Sequence, residues 1–121
     1  MMTDKQITGQ AGEKIALNYL RENAFKILHT NWRQGHKELD IIAQKENVIH
    51  IIEVRSLSSS FFQQPYQTIN KAKQRNLIAA ADAYIQRYKL TQEIQIDIIS
   101  IVFNDSQHTI EYIPNAIYPS A

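Results

Sequence analysis

Two acidic residues on neighbouring strands are the clearest chemical feature of this chain. Asp40 lies in KELDIIA and Glu53 in IIEVR, with the polar residues 44–47 between the two runs. Both runs are rich in Ile and Val, and the stretch between them is short enough for a hairpin. With the turn centred between Glu46 and Asn47, Asp40 falls opposite Glu53, and Glu38 opposite Arg55. Directly opposed residues share a face, with Cβ atoms roughly 4.5–5.5 Å apart. That face also carries Ile42, Ile49 and Ile51, while Leu39, Ile41, Ala43, Ile52 and Val54 fall on the other. Both faces are apolar, so the hairpin belongs in mid-sheet with cover on both sides. Two carboxylates facing each other there repel and are costly to desolvate. A divalent cation satisfies both, and hard carboxylate oxygens suit Mg²⁺ or Mn²⁺ rather than zinc. The competing reading is an edge-strand surface with a Glu38–Arg55 ion pair. It accounts for those two residues but not for acids set between isoleucines.

The elements that must position this pair follow from periodicity. Residues 3–23 read as a helix, with Ile7, Ala11, Ile15, Tyr19 and Leu20 at helical spacing. Thr3 and Gln6 form a candidate capping box, and Gly9 and Gly12 weaken the first half. Strands are expected over 25–32, 39–43 and 48–54. A loop is expected over 56–67, carrying Phe61 and Phe62 and closed by Pro65. A second helix covers 69–88, with an apolar stripe of Ile69, Ala72, Leu77, Ala80, Ala81, Tyr84, Ile85 and Tyr88. IQIDIISIVF is a strand, and HTIEYI is its short hairpin partner through residues 104–107. The order α-β-β-β-α-β implies an α/β fold, with a mixed central sheet flanked by helices on both sides.

Composition sets outer bounds. The chain has 121 residues, a mass of 14.0 kDa and a formal net charge of +1, which fits a single domain over 1–121. It has no cysteine, which excludes disulfides, thiolate zinc sites and a thiol nucleophile. No apolar run approaches the roughly 20 residues of a membrane helix, and the N-terminus lacks a signal-peptide stretch. The expectation is a cytoplasmic protein with no membrane partner. A nucleic-acid binder with so small a net charge must separate its charges in space. Residues 68–90 carry Lys71, Lys73, Arg75, Arg87 and Lys89 against Asp82, a formal +4. That excess suits phosphate contacts, and equally a solvated polar face. Lys73 stands apart, because its helical angle falls within the apolar stripe. From there it either reaches the acidic site or snorkels. Phe61 and Phe62 suit base stacking or a satellite core contact. The four histidines show no ligand spacing and read as ordinary surface or strand residues, and Asp97 reads as a strand residue with a structural partner or as one placed near the site.

Asp40 followed by Glu53-Val54-Arg55 resembles the acid…Glu-x-Lys signature of the restriction-endonuclease-like superfamily. GQAGEKIALNYL, KELDIIA, IIEVR, FQQP, NKAKQRNLIAAADAYI and IDIISI, in that order, look like the YraN family of small predicted endonucleases. That family is distantly related to archaeal Holliday-junction resolvases. The likeness spans residues 9–117 and implies a restriction-endonuclease-like αβββαβ core. It implies a metal-dependent nuclease that hydrolyses phosphodiester bonds in DNA, branched or damaged DNA included. Asp40 and Glu53 would ligate Mg²⁺ or Mn²⁺, and Glu13 would be a further site carboxylate unless it is a solvated helix charge. Arg55 would complete the catalytic set, and Glu38, which precedes the metal Asp, would belong to the same cluster. Asn31 and Arg33 match the pattern before the acidic strand, and Arg33 would touch phosphate or balance the cluster. Nucleic acid, DNA above all, is the implied partner, with Arg33, Lys71, Lys73 and Arg75 contacting it; a homodimer is left open. The chain departs from the pattern at Arg55 for lysine, Lys37 and Gln63 for glycine, and Gln95 for arginine. Arginine stays protonated and cannot act as a base, though it binds phosphate well. A catalytically silent nucleic-acid-binding domain is therefore the alternative, and an interaction domain with a vestigial acidic cluster is a third.

Overall fold

A computed structural model describes residues 2, 4–58 and 69–117. Its elements are α1 (Asp4–Glu22), β1 (Lys26–Gln34), β2 (Lys37–Lys45), β3 (Val48–Ser58), α2 (Lys71–Arg87), β4 (Glu93–Asn104) and β5 (Gln107–Ile117). Thr3, Phe61, Phe62, Gln63 and Pro65, to which the sequence assigns roles, lie outside the described residues.

The five strands form one mixed sheet in the order β1-β2-β3-β4-β5. The pairs are antiparallel except β3 with β4, which run parallel and are joined through α2. Each antiparallel pair closes through two residues: Gly35-His36, Glu46-Asn47 and Asp105-Ser106. The first residue of each turn has positive φ, 63°, 57° and 55°. Such tight turns match the twist of the strands they join. The expected register holds from the turn as far as Ile41 opposite Ile52, and the ladder stops before the expected pairs Asp40–Glu53 and Glu38–Arg55. Because β3 is the central strand and β2 lies between β1 and β3, the edge-surface reading of Glu53 and Asp40 fails.

Each face of the sheet carries a core. Leu77, Ala80, Ala81 and Tyr84 of α2 pack on Ile42, Ile49, Ile51, Ile96 and Ile98. On the other face Ala16 and Leu20 of α1 meet Ile41, Ala43, Ile52, Ile99 and Ile101. The helices thus cover both sides, as alternation along β3 requires. The buried line of α1 is Gly12, Ala16 and Leu20, while Ile7 is 49% exposed, so the expected apolar stripe was rotated. Three further differences concern strand ends. β3 continues through Ser56, Leu57 and Ser58, which pair with β4 instead of opening the loop. β5 spans 11 residues rather than a short piece. Leu39 joins the α2-side core with Ile42 although Ile41 packs on the α1 side, so alternation breaks at Asp40. Asn31, on β1 beside that break, has φ of 51°, a left-handed turn that swings Trp32 and Leu39 to the α2 face.

Gly12 sets how closely α1 approaches β3. A Cβ there would lie 1.9 Å from Ser56 Oγ and 3.1 Å from Ser56 Cβ, whereas one on Gly9 would meet nothing within 4 Å. Alanine gains about 1 kcal/mol over glycine in a helix, but overpacking costs about 1–3 kcal/mol. Gly9→Ala is therefore expected to stabilise the protein in urea titration and Gly12→Ala to destabilise it. Ser56→Ala in the Gly12→Ala background restores most of the loss, because only the 3.1 Å contact remains.

Candidate active site

Asp40 sits where β2 parts from β3. The last paired residues are Ile41 and Ile52, and beyond them the backbone N–H of Val54 donates to Asp40 Oδ2 at 2.9 Å. The side chain thus replaces a ladder carbonyl, which fixes the carboxylate in the gap between the strands. Glu53, the neighbour of Val54, shares a carboxyl–carboxyl hydrogen bond with Asp40. Glu53 is buried, with 5% of its surface exposed. Burial, then the shared hydrogen bond and charge of Asp40, push its pKa up to about 8 against the opposing pull of Lys73 and Arg55. Near neutral pH Glu53 therefore favours its protonated form.

Three other elements contribute. Glu13, on α1 one residue past Gly12, accepts a hydrogen bond from Asn31 Nδ2 at 2.7 Å. Burial raises its pKa; the Asn31 bond opposes that and the charge of Asp40 adds to it, which places Glu13 within the field of Asp40. The left-handed backbone at Asn31 therefore serves both the strand twist and the orientation of Glu13. Asn70 caps α2, its side chain accepting from Lys73 N at 2.8 Å. A helix starting there points Lys73 at the sheet, where Nζ lies 3.5 Å from Glu53 Oε2. Glu13, Asp40 and Arg55 line a cleft of about 1220 Å³, together with Arg33 and Glu38.

The site residues named from sequence divide on this geometry. Glu13, Asp40, Glu53, Arg55 and Lys73 come together. Arg33 pairs with Glu38 at 3.2 Å on the rim, both side chains largely exposed, so the partner of Glu38 seen in the structure is Arg33, its neighbour on β1. Such a surface pair contributes little to stability. Lys71 and Arg75 are exposed on α2. Among the described residues, no three His, Asp or Glu side chains stand close enough to enclose an ion. The described residues thus offer a hydrogen-bonded carboxyl pair, Asp40 and Glu53, with Glu13 within the field of Asp40. That donor set fits Mg²⁺ or Mn²⁺, which bind through one or two carboxylates and keep several waters.

Sequence reading missed one cluster. His50 is buried on β3, and its Nδ1 lies 2.7 Å from Asp97 Oδ2. Asp97 is fully buried and also accepts from Tyr112 Oη at 2.5 Å, Gln95 Nε2 at 2.9 Å and the Asn115 N–H at 2.8 Å. Burial raises its pKa, but these four bonds outweigh that and hold the carboxyl below its usual range. An ionised Asp97 makes His50 Nδ1 the donor. The cluster secures the irregularity in β5 opposite Asp97, where Asn115 has φ of 55°. His50 is thus a core residue, and Asp97 has the structural partners expected of it. A His and an Asp one strand apart give no spacing signal in sequence.

Residues 12–101 match the Uncharacterised protein family UPF0102. The chain is 38% identical to a UPF0102 protein of Bacteroides thetaiotaomicron over 118 residues, 98% of each chain. It is 36% identical to one of Bacteroides fragilis over 98% of each chain, and 35% identical to one of Flavobacterium psychrophilum over 97% of this chain and 98% of that one. The chain belongs to UPF0102. This is the YraN family of the sequence comparison. Within this UPF0102 fold the matched span runs from Gly12, at the α1–β3 contact, to Ile101 on β4, and so contains all five converging residues. No helix among the described residues is long and apolar enough to cross a membrane.

Proposed function

We propose that the protein is a metal-dependent phosphodiesterase acting on nucleic acid, with DNA, branched or damaged DNA included, as its substrate. The observation that carries this reading is the placement of two carboxyls together, Asp40 held by the Val54 N–H and Glu53 buried with 5% of its surface exposed, with Lys73 Nζ 3.5 Å from Glu53 Oε2. Acids that repel each other in a core lower stability, so their placement points to function. Burial and the charge of Asp40 disfavour ionisation of Glu53, and a divalent cation would relieve that cost while leaving Arg55 to meet a phosphodiester.

Asp40 and Glu53 would hold Mg²⁺ or Mn²⁺, which when bound supplies a water of lowered pKa and charge stabilisation at phosphate. The chain's own residues do the rest. Val54 N–H holds Asp40 in one orientation. Lys73 holds the direction of Glu53 and draws it toward ionisation against burial and Asp40. Arg55 offers phosphate a planar fork of donors and no base. Asn31 aims Glu13, the carboxylate left to orient water. Lys73→Met removes the ammonium that draws Glu53 toward ionisation. It is expected to shift the pH midpoint of Mn²⁺ binding upward, as read by calorimetry across pH 6–9, and Lys73→Arg to leave it near the native value.

A cleavage assay on branched, single-stranded and duplex DNA with Mn²⁺ tests the proposal. Cleavage that falls about 10²–10³-fold or more in Asp40→Asn, the order lost when a principal electrostatic group is removed, supports it. Mn²⁺ binding without cleavage, switched on by Arg55→Lys, supports instead a silent nucleic-acid-binding domain, a reading favoured by Arg55 itself. Absence of Mn²⁺ binding overturns both.

A further inference from the structure

Arg33 faces two cavities. One is the carboxylate cleft, and the other, of about 1000 Å³, runs from the β1–β2 turn region to the C-terminal half of α2. Lys37 and Arg87 join Arg33 along this second groove, and Asp82 is the one acid among its described lining residues. Gln86 Nε2 already donates to Asp82 at 3.0 Å. Among these cations stands Tyr88, 40% exposed. Its ring is fixed from behind by Tyr84 and His29, with centroids 4.8 and 5.0 Å away. Trp32 Nε1 donates to its hydroxyl at 3.3 Å, and the Arg87 guanidinium lies 6.0 Å from the ring centroid.

An acidic peptide would use the cations of such a groove but not the ring. Single-stranded nucleic acid uses both, laying phosphates on cations and bases on aromatic faces. A ring locked in place before binding also loses little entropy on contact. Continuity through Arg33 makes the groove an extension of the cleft. We infer that it holds a single-stranded segment flanking the phosphodiester at Asp40, with a base stacked on Tyr88 and adjacent phosphates on Lys37 and Arg87. The inference rests on the nucleic-acid reading of the carboxylate site and adds the path and strandedness of the substrate.

Fluorescence anisotropy of a labelled oligothymidylate tests it in the full chain, with Ca²⁺ present so that cleavage does not consume the probe. Tyr88→Ala is expected to weaken binding about tenfold and Tyr88→Phe to retain it. Lys37→Gln combined with Arg87→Gln, both on exposed residues, should lower the log–log salt slope by about 1.4. This pair keeps the test decisive if Tyr88→Ala does not fold. A strand that binds with no response to any of these variants overturns the groove and leaves the carboxylate site standing. So does displacement by polyglutamate as readily as by unlabelled strand. A strand that does not bind the native protein overturns the groove together with the nucleic-acid reading.

Discussion

Glu53→Gln is expected to raise stability at alkaline pH and to abolish most of its pH dependence between about pH 5 and 8. In the folded chain burial and Asp40 push the Glu53 pKa up to about 8, whereas an unfolded chain ionises it near 4.5. Below the lower value both states carry the proton and no stability is lost. Between the two values the folded state binds a proton that the unfolded state has released, so stability falls as pH rises. Above the upper value the full penalty is present, on the order of several kcal/mol. Glutamine keeps the shape and cannot ionise, so its urea midpoint should stay nearly flat across this window. If the pair binds metal, Mn²⁺ restores stability to the native protein at pH 8–9 and does little for Glu53→Gln, since a ligand stabilises only the state that binds it. Thermal denaturation with and without Mn²⁺ at pH 6 and pH 9 reads both effects. A native protein as stable at pH 9 as at pH 6 without metal would remove the raised pKa of Glu53 from the account.

Asp97→Ala should be the most destabilising single change on the other face of the sheet. It leaves His50 Nδ1–H, the Tyr112 hydroxyl, the Gln95 amide and the Asn115 N–H without their acceptor. Stranding buried donors, one of them on a histidine paired with a charge, costs about 3–5 kcal/mol. Asp97→Asn keeps the volume and one acceptor and is expected to lose less. The sign with pH is opposite to that of Glu53. The folded pKa of Asp97 is depressed, so its contribution is present above the unfolded value of 3.8 and fades as pH falls through the folded one. Urea titrations at pH 7 and pH 3.5 measure both the loss and its pH dependence. Equal midpoints for Asp97→Ala and the native protein at pH 7 would show that the cluster contributes nothing.

These two acids illustrate what was legible in the sequence. A two-residue turn and alternation bring Glu53 and Asp40 to the same end of the hairpin, both local properties, although the ladder itself stops one pair short at Ile41 and Ile52. The partnership of Asp97 with His50 depends on β3 lying beside β4, a parallel pairing made across α2. No turn fixes such a register, so no spacing rule reveals it. Lys73 falls between the two cases. Its helical angle pointed it inward, but whether it would reach Glu53 depended on the cap at Asn70 and on the seating of α2. Gly12 was misread for the same reason. As a helix residue it is a weakness, and as the point where α1 touches Ser56 it is a requirement.

By itself the sequence determined the order of helices and strands, the central hairpin and its register as far as Ile41 and Ile52, and hence that Asp40 and Glu53 lie at the same end of that hairpin. Periodicity and turn length act between near neighbours along the chain. Only the tertiary structure decided the twist at Asn31 and Asp40, the arrival of Glu13 and Lys73 from opposite faces, and the burial that makes Glu53 keep its proton. Those depend on which surfaces exclude water from one another, and that is fixed when the elements pack.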